Sequence, residues 1–156
     1  MKLSSLLFLL SCSLGFIACG SRYVLKDSKD IAATGWTYAD SLQSDMFIGD
    51  TSGTYDIQLM VKHSSDYPYQ NLYIRIHTIF PDGKRLSQPL SLELADKSGR
   101  WYGKGGTKRT LILPIQQNAY FDKEGAYRFV IEQFMRVDTL KGLQSIGIQV
   151  ARKGER

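Results

Sequence analysis

From Gly53 onward, apolar and polar residues alternate with a period of two. Tyr55, Ile57, Leu59 and Val61 alternate with Asp56, Gln58 and Lys62, the pattern of a strand buried on one face. Ser64-Ser65-Asp66-Tyr67-Pro68 is a turn cluster, after which Leu72, Ile74 and Ile76 alternate with Tyr73, Arg75 and His77. Pro81-Asp82-Gly83-Lys84 predicts a tight turn in which Asp-Gly supplies the positive φ angles of a hairpin. The return strand places Leu86, Leu90, Leu92 and Leu94 opposite Ser87, Ser91 and Glu93. Pro89 lacks an N–H, so this strand is expected at a sheet edge or with a bulge. Leu111, Leu113 and Ile115 continue the alternation, with Pro114 again predicting an edge. Tyr127, Phe129 and Ile131 face one way, and Ile146, Ile148 and Val150 form the last strand.

The segments between are less regular. Trp36-Thr37-Tyr38 is expected to open the domain as a short strand, while Asp40 to Asp50 is open between a helical turn and an irregular connection. Four glycines surround Trp101 and Tyr102 between Asp96 and Gly106, which predicts an irregular loop. Asp122 to Gly125 is a turn leading into the Tyr127 strand. It resembles the tyrosine corner of immunoglobulin-like sandwiches, in which a tyrosine hydroxyl bonds back to the preceding loop. The absence of a cysteine two residues after Tyr127 excludes an antibody-type domain. Short alternating strands with turn signals between them predict an all-β fold, a single antiparallel β-sandwich, immunoglobulin-like or jelly-roll-like.

The amino terminus has a different pattern. Lys2 precedes an uncharged, Leu-rich run that closes on small Ala18, the plan of a secretory signal peptide. The run is too short to span a bilayer, which takes roughly 20 apolar residues. Phe16-Ile17-Ala18-Cys19 resembles the bacterial lipobox, whose cysteine takes a diacylglycerol and becomes the mature N-terminus; Phe16 stands where leucine is usual. Cys12, after Leu9-Leu10-Ser11, is the rival site, but it would leave an apolar region of only about 7 residues. An ordinary signal cleaved near Ala18, leaving a free cysteine, is the plainer alternative. The expected organisation is a signal peptide over 1–18, a lipidated N-terminus at Cys19 and tether over 19–35, a sandwich over 36–152 and a polar tail over 153–156. The tether is expected because residues 20–35 hold no sustained period of 2 or 3.6.

With the leader gone, the remaining chain is long enough for one domain with a real core. The sequence has two cysteines, one lost with the signal and one acylated, so no disulfide framework is expected. Stable anchoring takes more than one acyl chain, and a lipobox cysteine normally carries two or three. The formal net charge of +5 includes Lys2 of the signal, and the other cations are scattered. No nucleic-acid footprint follows from them.

Candidate chemistry is sparse. His63 ends the apolar face of its strand and His77 lies on the polar face of the next, so the two histidines are expected to point in opposite directions. No His/Cys/Asp/Glu set has zinc or EF-hand spacing. Gly-x-Ser-x-Gly and the phosphate-cradling loop are both absent. No catalytic residue, metal or cofactor is expected. Tyr67, Tyr69, Trp101 and Tyr102 are the candidate binding surface for a glycan or a partner protein, with Tyr73 beside them. The competing expectation is that Trp101 and Tyr102 plug the open end of the sandwich.

Several motifs in order carry a resemblance. The lipobox, Trp36-x-Tyr38-x-Asp40, Tyr67-Pro68-Tyr69-Gln70-Asn71-Leu72 and Gly99-Arg100-Trp101-Tyr102-Gly103 are similar to the gliding-motility lipoprotein family GldH of Bacteroidetes. Gly125-Ala126-Tyr127-Arg128-Phe129, Gln133-Phe134-Met135-Arg136 and Leu140 to Gly147 extend the similarity over nearly the whole mature chain. The resemblance implies a non-enzymatic, outer-membrane-directed lipoprotein associated with the machinery that moves and secretes surface adhesins. Its expected partners are the membrane, through the lipid, and other gliding or secretion lipoproteins. Gly20 follows the lipidated cysteine, where aspartate would signal inner-membrane retention, and Gly20 to Val24 lacks an acidic surface-export cluster. By these family sorting rules the domain is expected on the inner leaflet of the outer membrane, facing the periplasm.

Overall fold

The strongest alternation in the sequence becomes a central strand. In the computed structural model, which describes residues 22–155, β4 (Gly53–Ser64) buries Tyr55, Ile57, Leu59, Val61 and His63 on one face. The signal peptide, Cys12 and Cys19 lie outside the described residues.

Every regular element among the described residues is a strand. β4 lies between β11 (Leu143–Glu155) and β8 (Lys108–Tyr120), with β1 (Tyr23–Asp30) outside β11 and the two-residue β7 (Lys104–Gly105) outside β8. The second sheet runs β3 (Leu42–Ile48), β9 (Gly125–Gln133), β5 (Asn71–Ile79), β6 (Arg85–Glu93). A short β2 (Trp36–Thr37) pairs with β10 (Thr139–Leu140), and all of these pairings are antiparallel. Numbered among themselves, the eight long strands follow the orders 1-8-3-6 and 2-7-4-5. That is the double-sheet order of a jelly roll, so the sandwich is jelly-roll-like rather than immunoglobulin-like.

Both sheets contribute to one core. Leu59, Val61, Ile146, Ile148 and Val150 of the first sheet meet Leu72, Ile74, Tyr127, Phe129 and Ile131 of the second. Each such side chain contributes about 1.5–3 kcal/mol when fully buried. The sandwich closes on one side, where Ser44 Oγ of β3 donates to Asp27 Oδ2 of β1 at 2.7 Å. On the other side β6 and most of β8 are sheet edges, and each carries its proline, Pro89 and Pro114. A proline denies a passing strand one ladder bond, which blunts an edge against unwanted pairing.

Three expectations change. Residues 23–30 are not tether: β1 pairs with β11 from Tyr23↔Ala151 to Asp30↔Ser145. An edge strand is held by its backbone ladder, and only Leu25 of β1 is buried, so no apolar period marks it. Residues 153–155 are not a free tail, because β11 continues through Gly154↔Thr54 and Glu155↔Gly53. The open stretch Asp40–Asp50 contains β3, whose inward row mixes Ser44 with Met46 and Ile48 and so hides the period.

The turn at Pro81 also has a particular form. Gly83 N–H donates to Phe80 O at 2.9 Å and Phe80 N–H to Lys84 O at 2.9 Å. Gly83 is at φ 80° and Asp82 is not in the positive region, so the loop is a type I turn followed by a left-handed glycine. The tyrosine corner is present as expected: Tyr127 hydroxyl donates to Lys123 O at 2.9 Å. Burial pushes the Tyr127 phenol pKa up.

Candidate functional site

Antiparallel order sorts the loops to two ends. One end carries Tyr23, the turns 49–52, 80–84 and 121–124, and the close of β11. The other carries 31–41, 64–70, 94–107 and 134–142, and all the aromatic candidates lie there.

Tyr67 and Trp101 form the inside of that aromatic end. The turn after β4 brings Tyr67 N–H to Ser64 O at 3.2 Å and sends the ring inward. Its hydroxyl donates to Asn71 O at 3.0 Å, and burial holds the phenol pKa far above its usual range. Trp101 is pinned by an isolated bridge to Ala95 and by Tyr102 N–H to Leu94 O at 2.8 Å. Its ring lies 4.7 Å from that of His63 and 6.3 Å from that of Tyr67. Trp101 therefore plugs the sandwich. Tyr67, buried, is not part of an accessible surface, which corrects the expectation for it; its hydroxyl finds a local carbonyl, so the ring can stay inside.

The glycine loop is built for this plug. Gly103 sits at φ 80°, and a Cβ there would lie 2.5 Å from Thr110 O, so the chain can run back against β8 only with glycine. Asp96 organises the other half. Its carboxylate accepts from Ser98 Oγ at 2.6 Å, Ser98 N–H at 2.9 Å, Arg100 N–H at 3.0 Å and Arg100 Nε at 3.0 Å. The Ser98 hydroxyl and then the Arg100 N–H hold its pKa down to about 2.

His63 lies under the plug. Nδ1 is 2.9 Å from Ser64 O and donates to it, while Nε2 has no partner among the described residues. Burial lowers the His63 pKa against the opposing bond to Ser64, and Arg109 lowers it further. His77 lies on the other face of its sheet, as the sequence predicts. Nδ1 is 2.6 Å from Ser87 Oγ and Nε2 is 3.1 Å from Glu132 Oε2, a chain of bonds that ties β6, β5 and β9 together on an open sheet face. Among the described residues, no group of three or more His, Cys, Asp or Glu side chains is placed to hold a metal ion.

Tyr69 and Tyr102 are the candidates at the surface. Tyr69 stands edge-on to Tyr67, with centroids 5.8 Å apart at 73°. It separates two clefts. The first, about 910 Å³, is also lined by Tyr102, Gln70, Asn71 and Glu93. The second, about 460 Å³, is lined by Tyr73, Phe134, Met135, Arg136 and Val137. Phe134 is exposed and carries the Arg75 guanidinium 4.0 Å above its ring centroid. Gln133, buried at the end of β9, accepts from Met135 N–H and donates to Val137 O, each at 2.9 Å, and so fixes the wall of the second cleft. The Tyr38 hydroxyl donates to Met135 O from the other side.

Sequence reasoning missed Phe134 as a surface residue, with half-buried Val137 and buried Met135 behind it. The available signal was the outward parity of Phe134 at the end of the Tyr127-Phe129-Ile131 row, since an exposed aromatic beside an outward arginine marks a contact surface.

These features define a jelly-roll domain with two clefts at one end. The GldH lipoprotein family model matches residues 23–150. The chain belongs to the GldH lipoprotein family. The matched span opens on the first residue of β1. The gliding motility lipoprotein GldH homolog of Christiangramia forsetii is 29% identical over 111 residues, 66% of this chain and 68% of the relative. The gliding motility lipoprotein GldH of Flavobacterium johnsoniae is 21% identical over 165 aligned residues, 98% of this chain and 99% of the relative. Among solved structures, a carbohydrate-binding module of family 28 specific for non-crystalline cellulose matches with a TM-score of 0.44 at 10% identity, covering 81% of this chain and 73% of that one. A family 35 carbohydrate-binding module from Clostridium thermocellum matches with a TM-score of 0.37 at 9% identity, covering 80% and 97%.

Proposed function

We propose that this chain is a non-enzymatic accessory lipoprotein of the gliding-motility machinery and its associated surface-protein secretion, acting through protein–protein contacts. The observation that carries the reading is the family match over residues 23–150, whose relatives bear gliding-motility names. The lipobox at Cys19 supplies the anchor, and Gly20 favours the outer membrane with the domain in the periplasm. The second cleft supplies a contact surface. Tyr, Phe and Arg are among the residue types enriched where proteins meet, and exposed Tyr73, Phe134 and Arg136 gather there over buried Met135 on a fixed wall. The test is affinity capture of the full-length protein from solubilised envelopes. An envelope protein recovered with wild type and lost with Phe134→Ala supports the reading; recovery of none contradicts it.

One observation favours glycan binding as a second reading. In the first cleft, Gln70, Asn71 and Glu93 make no side-chain hydrogen bond among the described residues, and two tyrosine rings flank them. Glycan-array binding lost with Tyr102→Ala is the expected result on this reading, and a flat array removes it. Tyr102 is the residue to change, since Trp101 supports the fold.

A further inference from the structure

The end of the sandwich opposite the clefts carries its own pattern. Tyr23 and Val24 open β1, Phe47 lies one residue from the close of β3, and Tyr120 ends β8. All four are exposed large apolar residues, Phe47 at 70% and Tyr120 at 63%. The register places them together: Tyr23 opposite Ala151, Phe47 opposite Ala126, and Tyr120 opposite Thr54, all within the strand ends on that side. Ala119 is buried, so Tyr120 projects from the outer face of the first sheet, while Phe47 flanks buried Met46 and Ile48 and projects from the outer face of the second. Arg22, Lys84 and Lys153 lie exposed at the same end. The result is a girdle of aromatic rings around one end of a polar domain whose charges are of both signs, with Lys153 paired to Asp56, Arg152 to Asp50 and Lys123 to Asp82.

The chain outside the described residues ends at the same place. Only Gly20, Ser21 and Arg22 separate Cys19 from Tyr23, the first residue of a paired strand. Extended backbone reaches at most ~3.6 Å per residue, so a lipid on Cys19 keeps Tyr23 within about 14 Å of the acyl attachment. Aromatic rings and snorkelling cations are the composition of the membrane–water boundary, where an apolar body and a polar tip are both satisfied.

We infer that this girdled end is a bilayer-docking surface that seats on lipid headgroups, so that the sandwich stands end-on and presents its two clefts away from the membrane. The inference rests on the lipid anchor in the proposed function. It adds the stance of the domain and the face that meets lipid. Twelve residues of β4 at ~3.3 Å each set the clefts roughly 40 Å from the docked end. A partner of the clefts is met at that height, not at the lipid surface. The anchor holds the domain near the membrane, and the girdle sets its orientation.

The test uses the full-length lipidated protein purified from membranes and reconstituted into phosphatidylethanolamine–phosphatidylglycerol vesicles. Neither native cysteine is left as a thiol once the signal is cleaved and Cys19 is acylated, so Glu124→Cys and Lys97→Cys each place one fluorophore, at the girdled end and the cleft end. Lipid carrying a headgroup spin label is the quencher. The expected result is loss of emission at 124 and unquenched emission at 97, with loss at 124 relieved by Phe47→Ser/Tyr120→Ser. Equal quenching at both positions, stronger quenching at 97, or a girdle variant that quenches like its parent overturns the docking. These outcomes leave the anchor standing if the protein still floats with the vesicles. Failure to float overturns the anchor and the docking together.

Discussion

The imidazole of His63 and the indole of Trp101 lie 4.7 Å apart, tilted at 55°, so the loop tryptophan seals the histidine that closes the central strand. This contact joins a loop that reads as irregular to the most regular strand in the chain. It makes Trp101 a structural residue.

Trp101→Ala removes the seal and leaves a void against His63 and Tyr67. The expected cost is about 2–4 kcal/mol, toward the lower part of the range for large-to-alanine changes because Trp101 is half-buried. Urea unfolding followed by the fluorescence of Trp36 measures it. An unchanged midpoint contradicts the plug.

Acid acts on the same contact. Burial holds the His63 pKa below its ordinary 6.5 in the fold, whereas the unfolded chain titrates near that value. Below about pH 6.5 the unfolded state binds more protons, so the His63 contribution is complete above that pH and is lost as pH falls toward the lowered folded value. The urea midpoint of wild type is expected to drop more steeply between about pH 7 and about pH 5 than that of His63→Leu. Parallel profiles contradict a buried neutral histidine.

Tyr127→Phe deletes the bond to Lys123 O at 2.9 Å and keeps the ring in the core. The loop 121–124 loses its tie, at a cost of about 1 kcal/mol. Hydrogen exchange is expected to rise in that loop and stay level around Trp101. A rise confined to the Trp101 end contradicts the corner.

Gly147→Val tests the standing of β1. A Cβ at Gly147 would meet Asp27 O at 2.4 Å and Ser28 Cα at 2.8 Å, so a side chain there pushes β1 off β11. The expected loss is about 1–3 kcal/mol, with faster exchange over residues 23–30. Slow exchange retained over that span contradicts the pairing.

The sequence discloses the strands whose side chains alternate apolar and polar, even where, as at Leu86 of β6, the apolar row is left exposed. β4, the β5–β6 hairpin and β9 are legible from strict alternation, and Pro89 and Pro114 mark the two open edges. β1 is hidden because its stability lies in backbone bonds to β11, which leave no side-chain signature beyond Leu25. β3 is hidden because Ser44 takes an inward position and spends it on a bond to Asp27. At the cleft end, Tyr69 and Tyr102 are legible as surface aromatics, but nothing local separates them from Tyr67 and Trp101. The distinction is made by His63, nearly forty residues from Trp101 in sequence and in contact with it in the fold. Phe134 escapes notice because its value lies in the Arg75 guanidinium above it, a contact across two strands.

The proposed function depends on a lipid at Cys19. Metabolic labelling of the native protein with an alkyne fatty acid, in wild type, Cys19→Ala and Cys12→Ala, tests this most directly. Label is expected in wild type and Cys12→Ala, with loss in Cys19→Ala alone. An unlabelled wild type, in cells whose other lipoproteins label normally, contradicts it.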